Sequence, residues 1–230
     1  MNLKPYQDFA KDKLGGFKDI QLLVTAFTHR SYLNEHRKTV FEHNERLEFL
    51  GDAVLELIVT EHLFCHFQEA EGILTNWRSA LVRTESISAA AASEGFEPLL
   101  RLSRGEKRGS ERARQQILAN CYEAVIGAVY LDQGYEAAKT FVVRTLIPSL
   151  KAVLENGLWL DPKSRLQEMA QSRDNATPVY KVIEESGPDH DKTFVVGVFI
   201  DEAEKGRGSG PSKQAAQVTA AVNALRHYLD

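Results

Sequence analysis

The chain has 230 residues, 43% of them apolar and 26% charged, with a formal net charge of −4 and two cysteines. That mixture excludes disordered, collagen-like and disulfide-stapled classes, and no apolar run approaches the roughly 18 residues a membrane span requires. The start, MNLKPYQDFAKDK, lacks the apolar stretch of a secretory leader, so with only Cys65 and Cys121 we expect a cytoplasmic protein with no membrane partner. The small acidic excess is unlike the basic footprint that phosphate binding usually leaves.

Residues 1–150 read as helix after helix. Apolar residues recur at helical spacing over Gln21–Phe27, Glu45–Phe67, Thr75–Ser93 and Gln115–Leu131. Stop signals stand between them at Gly72, Gly95 with Pro98, Gly105, Gly109 and Gly134. A last helical stretch runs from Pro148 to Leu154 and meets a turn at Asn156-Gly157. From Asp161 the pattern changes. Pro162–Ser172 predicts a helix, and Val179–Glu185 and Thr193–Ile200 predict strands joined through Gly187-Pro188. Ala203–Pro211 reads as a glycine-rich basic loop, with a third strand expected near Ile200–Glu204. Ser212–Tyr228 reads as a long alanine-rich helix. The organisation expected is a helical domain over 1–150, a linker over 151–160 and an αβ domain over 161–230.

Two segments gather chemistry. In HNERLEFLGDAVLEL, residues advance by about 100° each along a helix. With Glu45 at zero, Glu48, Asp52 and Glu56 fall within a stripe about 80° wide, while Leu47, Leu50, Val54, Leu57 and Ile58 share the opposite face. Like charges at this spacing repel, and a bridging hard cation such as Mg²⁺ or Mn²⁺ removes the repulsion. A solvated acidic face is the ordinary alternative. Gly51, in mid-helix, is costly there and marks a close approach of backbone. In ILANCYEAVIGAVYLDQG, Asn120, Glu123 and Gly127 share one side, and Glu123 is a lone acid among apolar residues. An unpaired buried carboxylate is costly, so Glu123 is expected to face solvent, a cation or a basic partner.

Together these segments resemble the ribonuclease III family, endonucleases of double-stranded RNA, and HNERLEFLGDAVLEL is similar to its signature helix. Thr25–Tyr32 (TAFTHRSY), Glu71–Val82 (EGILTNWRSALV), Gly105-Glu106 with Arg112 and Arg114, and the second acidic helix match in the family's order. The C-terminal 70 residues resemble a double-stranded-RNA-binding domain. The resemblance implies an all-α endonuclease domain followed by an α-β-β-β-α RNA-binding domain. It implies metal ligation by Glu48, Asn120 and Glu123, with Asp52 and Glu123 the essential catalytic carboxylates and Asp52 close to the metal. Glu45 opens the signature and lies in the catalytic valley. Many members carry Asp where this chain has Asn120, so weaker metal binding, or an impaired enzyme that only binds duplex RNA, is the alternative. The implied cofactor is Mg²⁺, with Mn²⁺ able to substitute, and the implied partners are double-stranded RNA and a second copy of the chain. Phe41 and Phe49 are read as dimer packing. The implied products carry 5′-phosphate and 3′-hydroxyl ends with short 3′ overhangs, and the implied substrates are ribosomal RNA precursors and structured transcripts.

In the C-terminal domain, Gln167 and Glu168 match the family's first minor-groove contacts. Pro188 and His190, in the Gly187–Lys192 turn, match the second. Ser212, Lys213, Gln214 and Gln217 stand where the family places a lysine cluster on phosphates, but only Lys213 is basic. The domain holds 9 basic and 11 acidic residues, and Arg207 is the residue expected to compensate. Arg101–Arg114, the strongly basic stretch, is either a solvated face or a contact to RNA near the active site. His62, Cys65 and His66 are expected to pack in a core or interface, His29 to fix the helix ahead of the signature, and Cys121 to be a packed thiol.

Overall fold

Two separate apolar cores organise the computed structural model. One is built by residues between Tyr6 and Val153, the other by residues between Leu166 and Leu225. They belong to two compact units, Met1–Trp159 and Leu160–Asp230. The structure describes residues 2–36, 38–155, 159, 161–188 and 192–229.

The first unit is helical: α1 Lys4–Lys13, α2 Ile20–Ala26, α3 Arg30–Glu35, α4 Glu45–His66, α5 Glu71–Leu81, α6 Thr84–Ser93, α7 Glu111–Gln133, α8 Tyr135–Thr145 and α9 Ser149–Glu155. Side chains start several of them by accepting orphan backbone N–H groups. Asp19 caps α2, the His29 ring caps α3, and Ser110 caps α7. At Gly134 the backbone takes φ 89°, which ends α7 and lets α8 begin at the next residue. The expected helix Thr75–Ser93 is two helices. Arg83 is extended between them, and the Ser86 hydroxyl donates to the Ala80 carbonyl at 2.9 Å across the corner. The break lets α5 bury Trp77, Ala80 and Leu81 while α6 buries Ile87, Ala90 and Ala91 on its own course. Gly72 lies inside the first turn of α5, not between helices.

Helices α4 and α7 form the centre of this unit. Beside them Phe27 and Phe96 meet at 5.0 Å, with the Phe9 ring edge-on to both. The buried Asp132 carboxylate accepts from the backbone N–H groups of Lys18 and Asp19 at 2.9 and 2.8 Å, tying the chain ahead of α2 to the end of α7. The stretch expected as a linker begins inside this unit. Val153 on α9 is buried in its core, and Trp159 packs edge-on to Trp77. Asn156-Gly157 lies outside the described residues.

The second unit comprises α10 Pro162–Asp174, β1 Val179–Ser186, β2 Thr193–Ile200, β3 Ala203–Gly210 and α11 Lys213–Leu229. The strands form an antiparallel sheet in the order β1-β2-β3, pairing Val179 with Phe199 and Phe194 with Gly210. Asp161 caps α10 through the N–H groups of Lys163 and Ser164. Asp201 and Glu202, both at positive φ, make the two-residue turn into β3.

The segment read as a glycine-rich loop is thus a full strand. A Cβ on Gly206 would stand 2.6 Å from the Ala220 carbonyl oxygen, and one on Gly208 would stand 2.2 Å from the Ala220 nitrogen. The glycines let α11, with Ala216, Ala220, Ala221 and Ala224 buried, lie directly on the sheet. Close packing replaced the β-branched residues by which a strand is recognised in sequence. We expect Gly208→Ala to destabilise this unit by about 1–3 kcal/mol, whereas the exposed neighbour Ser209→Ala leaves it nearly unchanged. Urea unfolding of the two variants, followed in the second unit, checks this.

Candidate active site

The site begins where α4 crosses α7. A Cβ on Gly51 would lie 1.7 Å from the Glu123 carbonyl oxygen, and one on Gly127 would lie 2.3 Å from that of Leu47. Only glycine at both positions lets the two backbones touch. The crossing is therefore nearer than side chains allow, and it brings Glu48 and Asp52 from α4 beside Asn120 and Glu123 from α7.

The electrostatics record that proximity. Burial, followed by repulsion from Asp52 and Glu48, pushes the Glu123 carboxyl up to about 7. Burial, and then the Glu45 and Asp52 charges, raise Glu48 as well, while a hydrogen bond from the Asn120 side chain pulls it the other way. The Asn120 oxygen accepts from Gln116 Nε2 at 2.7 Å, so its NH₂ is the group offered to Glu48. Ligation of a cation through that oxygen requires the amide to turn over.

The acidic stripe is not uniform. Glu45 pairs with Arg30 at 3.4 Å and lies 3.9 Å from the His43 ring. Glu56 pairs with Arg78 at 3.1 Å, and Arg78 also donates to the Thr60 hydroxyl. Both outer acids thus have basic partners. Among the described residues no Lys, Arg or His forms an ion pair with Glu48, Asp52 or Glu123. The three carboxylates are close enough to repel but, as placed, no three acidic, His or Cys side chains among the described residues converge as a ligand set. Hard oxygens under mutual repulsion, with a neutral amide oxygen one rotation away, suit Mg²⁺ or Mn²⁺. Sequence spacing gave no sign of Arg30 or Arg78, because each reaches the stripe from another element; Gln116, one turn before Asn120 on α7, is a pair that helical spacing allows.

The opposite face of α4 follows the helical count in part. Leu47, Val54 and Ile58 are buried, but Leu57 is 56% exposed. It joins Phe41 at 81%, Phe49 at 83% and Leu131 at 55% as large apolar side chains left in solvent. The basic stretch is divided. Arg101 is structural, donating to the Thr28 hydroxyl and lying over the Tyr32 ring, whereas Arg104, Lys107, Arg108 and Arg112 are exposed. Cys121 is fully buried, with its thiol on the Ala26 carbonyl. Cys65, by contrast, is exposed, beside a stacked pair of His62 and His66 rings.

In the second unit Gln167 and Glu168 are exposed on α10, and Lys213 and Gln214 on the first turn of α11. The Ser212 hydroxyl accepts from the Ala215 N–H. Gln167 and Gln214 line one recess of about 410 Å³ between the two helices. Gln217 is half-buried, and Pro188 is exposed at the far turn. His190 lies outside the described residues. Arg207, the residue expected to compensate for the missing lysines, is directed away from them. Gly206 and Gly208 face α11, so Arg207 between them points to the other face of the sheet, in a two-pronged pair with Glu204 at 2.8 and 3.0 Å.

Residues 19–150 match the ribonuclease-III-like family model, and residues 162–228 match the double-stranded RNA binding motif. The chain is 43% identical over 225 residues to Ribonuclease 3 of Streptococcus gordonii, covering 97% of each. It is 45% identical over 210 residues to Ribonuclease 3 of Anoxybacillus flavithermus, covering 91% of this chain and 88% of that one. Its fold is similar to the nuclease domain of ribonuclease III from Campylobacter jejuni, with 38% identity and a TM-score of 0.56 over 62% of this chain and 96% of that one. That structure is described as flexible in its region involved in dimer formation.

The raised Glu123 carboxyl carries a pH signature. Its folded-state value, about 7 against an ordinary 4.5, means that the folded chain keeps a proton the unfolded chain has shed. Stability is therefore lost as pH rises through about 7. In chelator, the melting temperature of the native sequence should fall relative to Glu123→Gln between pH 5 and pH 8. Equal slopes for the two proteins would contradict the crowded carboxylate.

Proposed function

Because the chain belongs to the ribonuclease III family and is a double-strand-specific endoribonuclease, we propose that Glu48, Asp52, Asn120 and Glu123 hold a divalent cation at its point of cleavage. Mg²⁺ is the cofactor of this reading, with Mn²⁺ able to substitute. The observation that carries it is the absence of basic partners for Glu48, Asp52 and Glu123 among the described residues, next to two outer acids that have them. When bound, the cation lowers the pKa of a water and stabilises charge on the phosphate during in-line displacement.

The chain's own groups do the rest. Glu48 and Glu123 supply charged oxygens from the two helices, and Asn120 supplies a neutral one after its amide turns from Gln116. Asp52 and Glu123, flanking the crossing, orient the water and take its proton. Glu45, held by Arg30, stands at the edge of the valley and meets RNA or the partner subunit. The products are 5′-phosphate and 3′-hydroxyl ends.

A homodimer built on the exposed apolar side chains Phe41 and Phe49 sets two such sites along one duplex, one for each strand, which gives short 3′ overhangs. In the domain over 161–230, Gln167, Glu168, Pro188 and His190 read the minor grooves, while Ser212, Lys213, Gln214 and Gln217 approach phosphate. Ribosomal RNA precursors and structured transcripts of the cytoplasm are the substrates this reading implies.

A competing reading, an RNA-binding protein that cuts poorly, draws on Asn120, whose oxygen is already engaged by Gln116. Glu123→Gln should abolish cutting of a labelled duplex in Mg²⁺ or Mn²⁺ while duplex binding is retained; loss of both together would contradict its assigned role. Asn120→Asp should change the cleavage rate little. A large gain would favour the competing reading.

A further inference from the structure

The second unit has an acidic balance, and several of its cations are not free to meet phosphate. Arg207 is bound to Glu204 on the sheet face away from α11, and Lys192 is bound to Glu185 at 2.9 Å. Lys163, near the start of α10, is different. Its ammonium crosses to α11 and donates to Gln217 Oε1 at 2.8 Å, and it lies 5.0 Å from the centre of the Tyr180 ring. Both neighbours are neutral. The nearby Asp161 carboxylate is turned onto the start of α10, accepting from the backbone of Lys163 and Ser164, and among the described residues no carboxylate forms an ion pair with the Lys163 ammonium.

The surroundings are those of a phosphate contact. Lys163 lines the recess that Gln167 and Gln214 share, so amide groups of both helices stand beside one unneutralised positive charge. Lys213 is four residues before Gln217, one helical turn away. It too has a neutral neighbour, the Phe194 ring. An ammonium steadied by an amide oxygen and a ring has no anionic partner there and is positioned at little entropic cost.

We propose that Lys163 is a phosphate-contacting residue of the RNA-binding surface, supplying from α10 the positive charge that Gln217 does not carry on α11. The inference rests on the assignment of Gln167, Lys213 and Gln214 to that surface. It also accounts for how a domain with more acids than bases can bind duplex RNA: a pair of cations from two helices, Lys163 and Lys213, is placed where charge is needed.

The test uses the full-length chain with Glu123→Gln, so that duplex RNA stays intact, and reads affinity by fluorescence anisotropy across a KCl series. Adding Lys163→Gln should weaken binding about three- to ten-fold and lower the slope of log affinity against log salt by about 0.7–0.9, the loss of one phosphate contact. Adding Gln217→Lys to the doubly substituted chain should restore most of both, because the charge returns to the same place. Lys163→Arg should keep the slope. A slope unchanged by Lys163→Gln, with the melting temperature retained, would overturn the proposal. So would weaker binding at an unchanged slope, which is the mark of a packing role. If the parent chain fails to bind the duplex at all, the underlying assignment of the surface fails instead.

Discussion

Everything at the candidate active site depends on the contact between two helix backbones at Gly51 and Gly127. A side chain at either position would enter the backbone of the opposite helix. Glycine in a helix interior costs about 1 kcal/mol relative to alanine, and here it is used twice. What the fold gains is proximity: burial, and then repulsion from Asp52 and Glu48 on the opposite helix, raise the Glu123 carboxyl. The core around the crossing, with Leu55, Ile58, Val125 and Ile126 fully buried, holds the helices together against the repulsion of the acids they carry.

That repulsion is managed unevenly, and the unevenness defines the site. Arg30 and Arg78 neutralise the two ends of the acidic stripe on α4, while its middle is left to face Glu123 across the crossing. A family of acids spread evenly along a helix would be a solvated face. Acids with counterions at the ends and none in the centre are the arrangement from which the cation site is proposed. The second unit uses the same device of close approach for a different end. Its glycine strand lets α11 lie on the sheet, and the alanines of α11 complete the fit.

Much of this was legible in the sequence. The 3.6-residue spacing located α4 and α7, and helical arithmetic put Glu48 with Asp52 and Asn120 with Glu123. Gly51 stood out because a mid-helix glycine requires a reason. The resemblance to the ribonuclease III family joined the two segments, which spacing alone could not do. Three features were hidden for physical reasons. Strand β3 has no β-branched residues because packing against α11 demanded glycine. The division of Thr75–Ser93 into two helices follows from which residues the tertiary core buries, and no glycine or proline marks it. The partners of Glu45, Glu56 and Gln217 are polar groups brought in by tertiary folding, and nothing in local spacing announces Arg30, Arg78 or Lys163, whereas Gln116, four residues before Asn120 on α7, is a local pair that helical spacing allows.

If the glycine crossing sets the chemistry, widening it should slow cleavage. Single-turnover cleavage of a labelled duplex should be measured for full-length Gly127→Ala at a temperature where circular dichroism shows it folded, alongside its duplex affinity. The rate should fall about a hundred-fold or more, since a displacement near 1 Å at reacting groups has that effect, while duplex affinity is retained. A folded Gly127→Ala protein that cuts at the native rate would contradict that dependence.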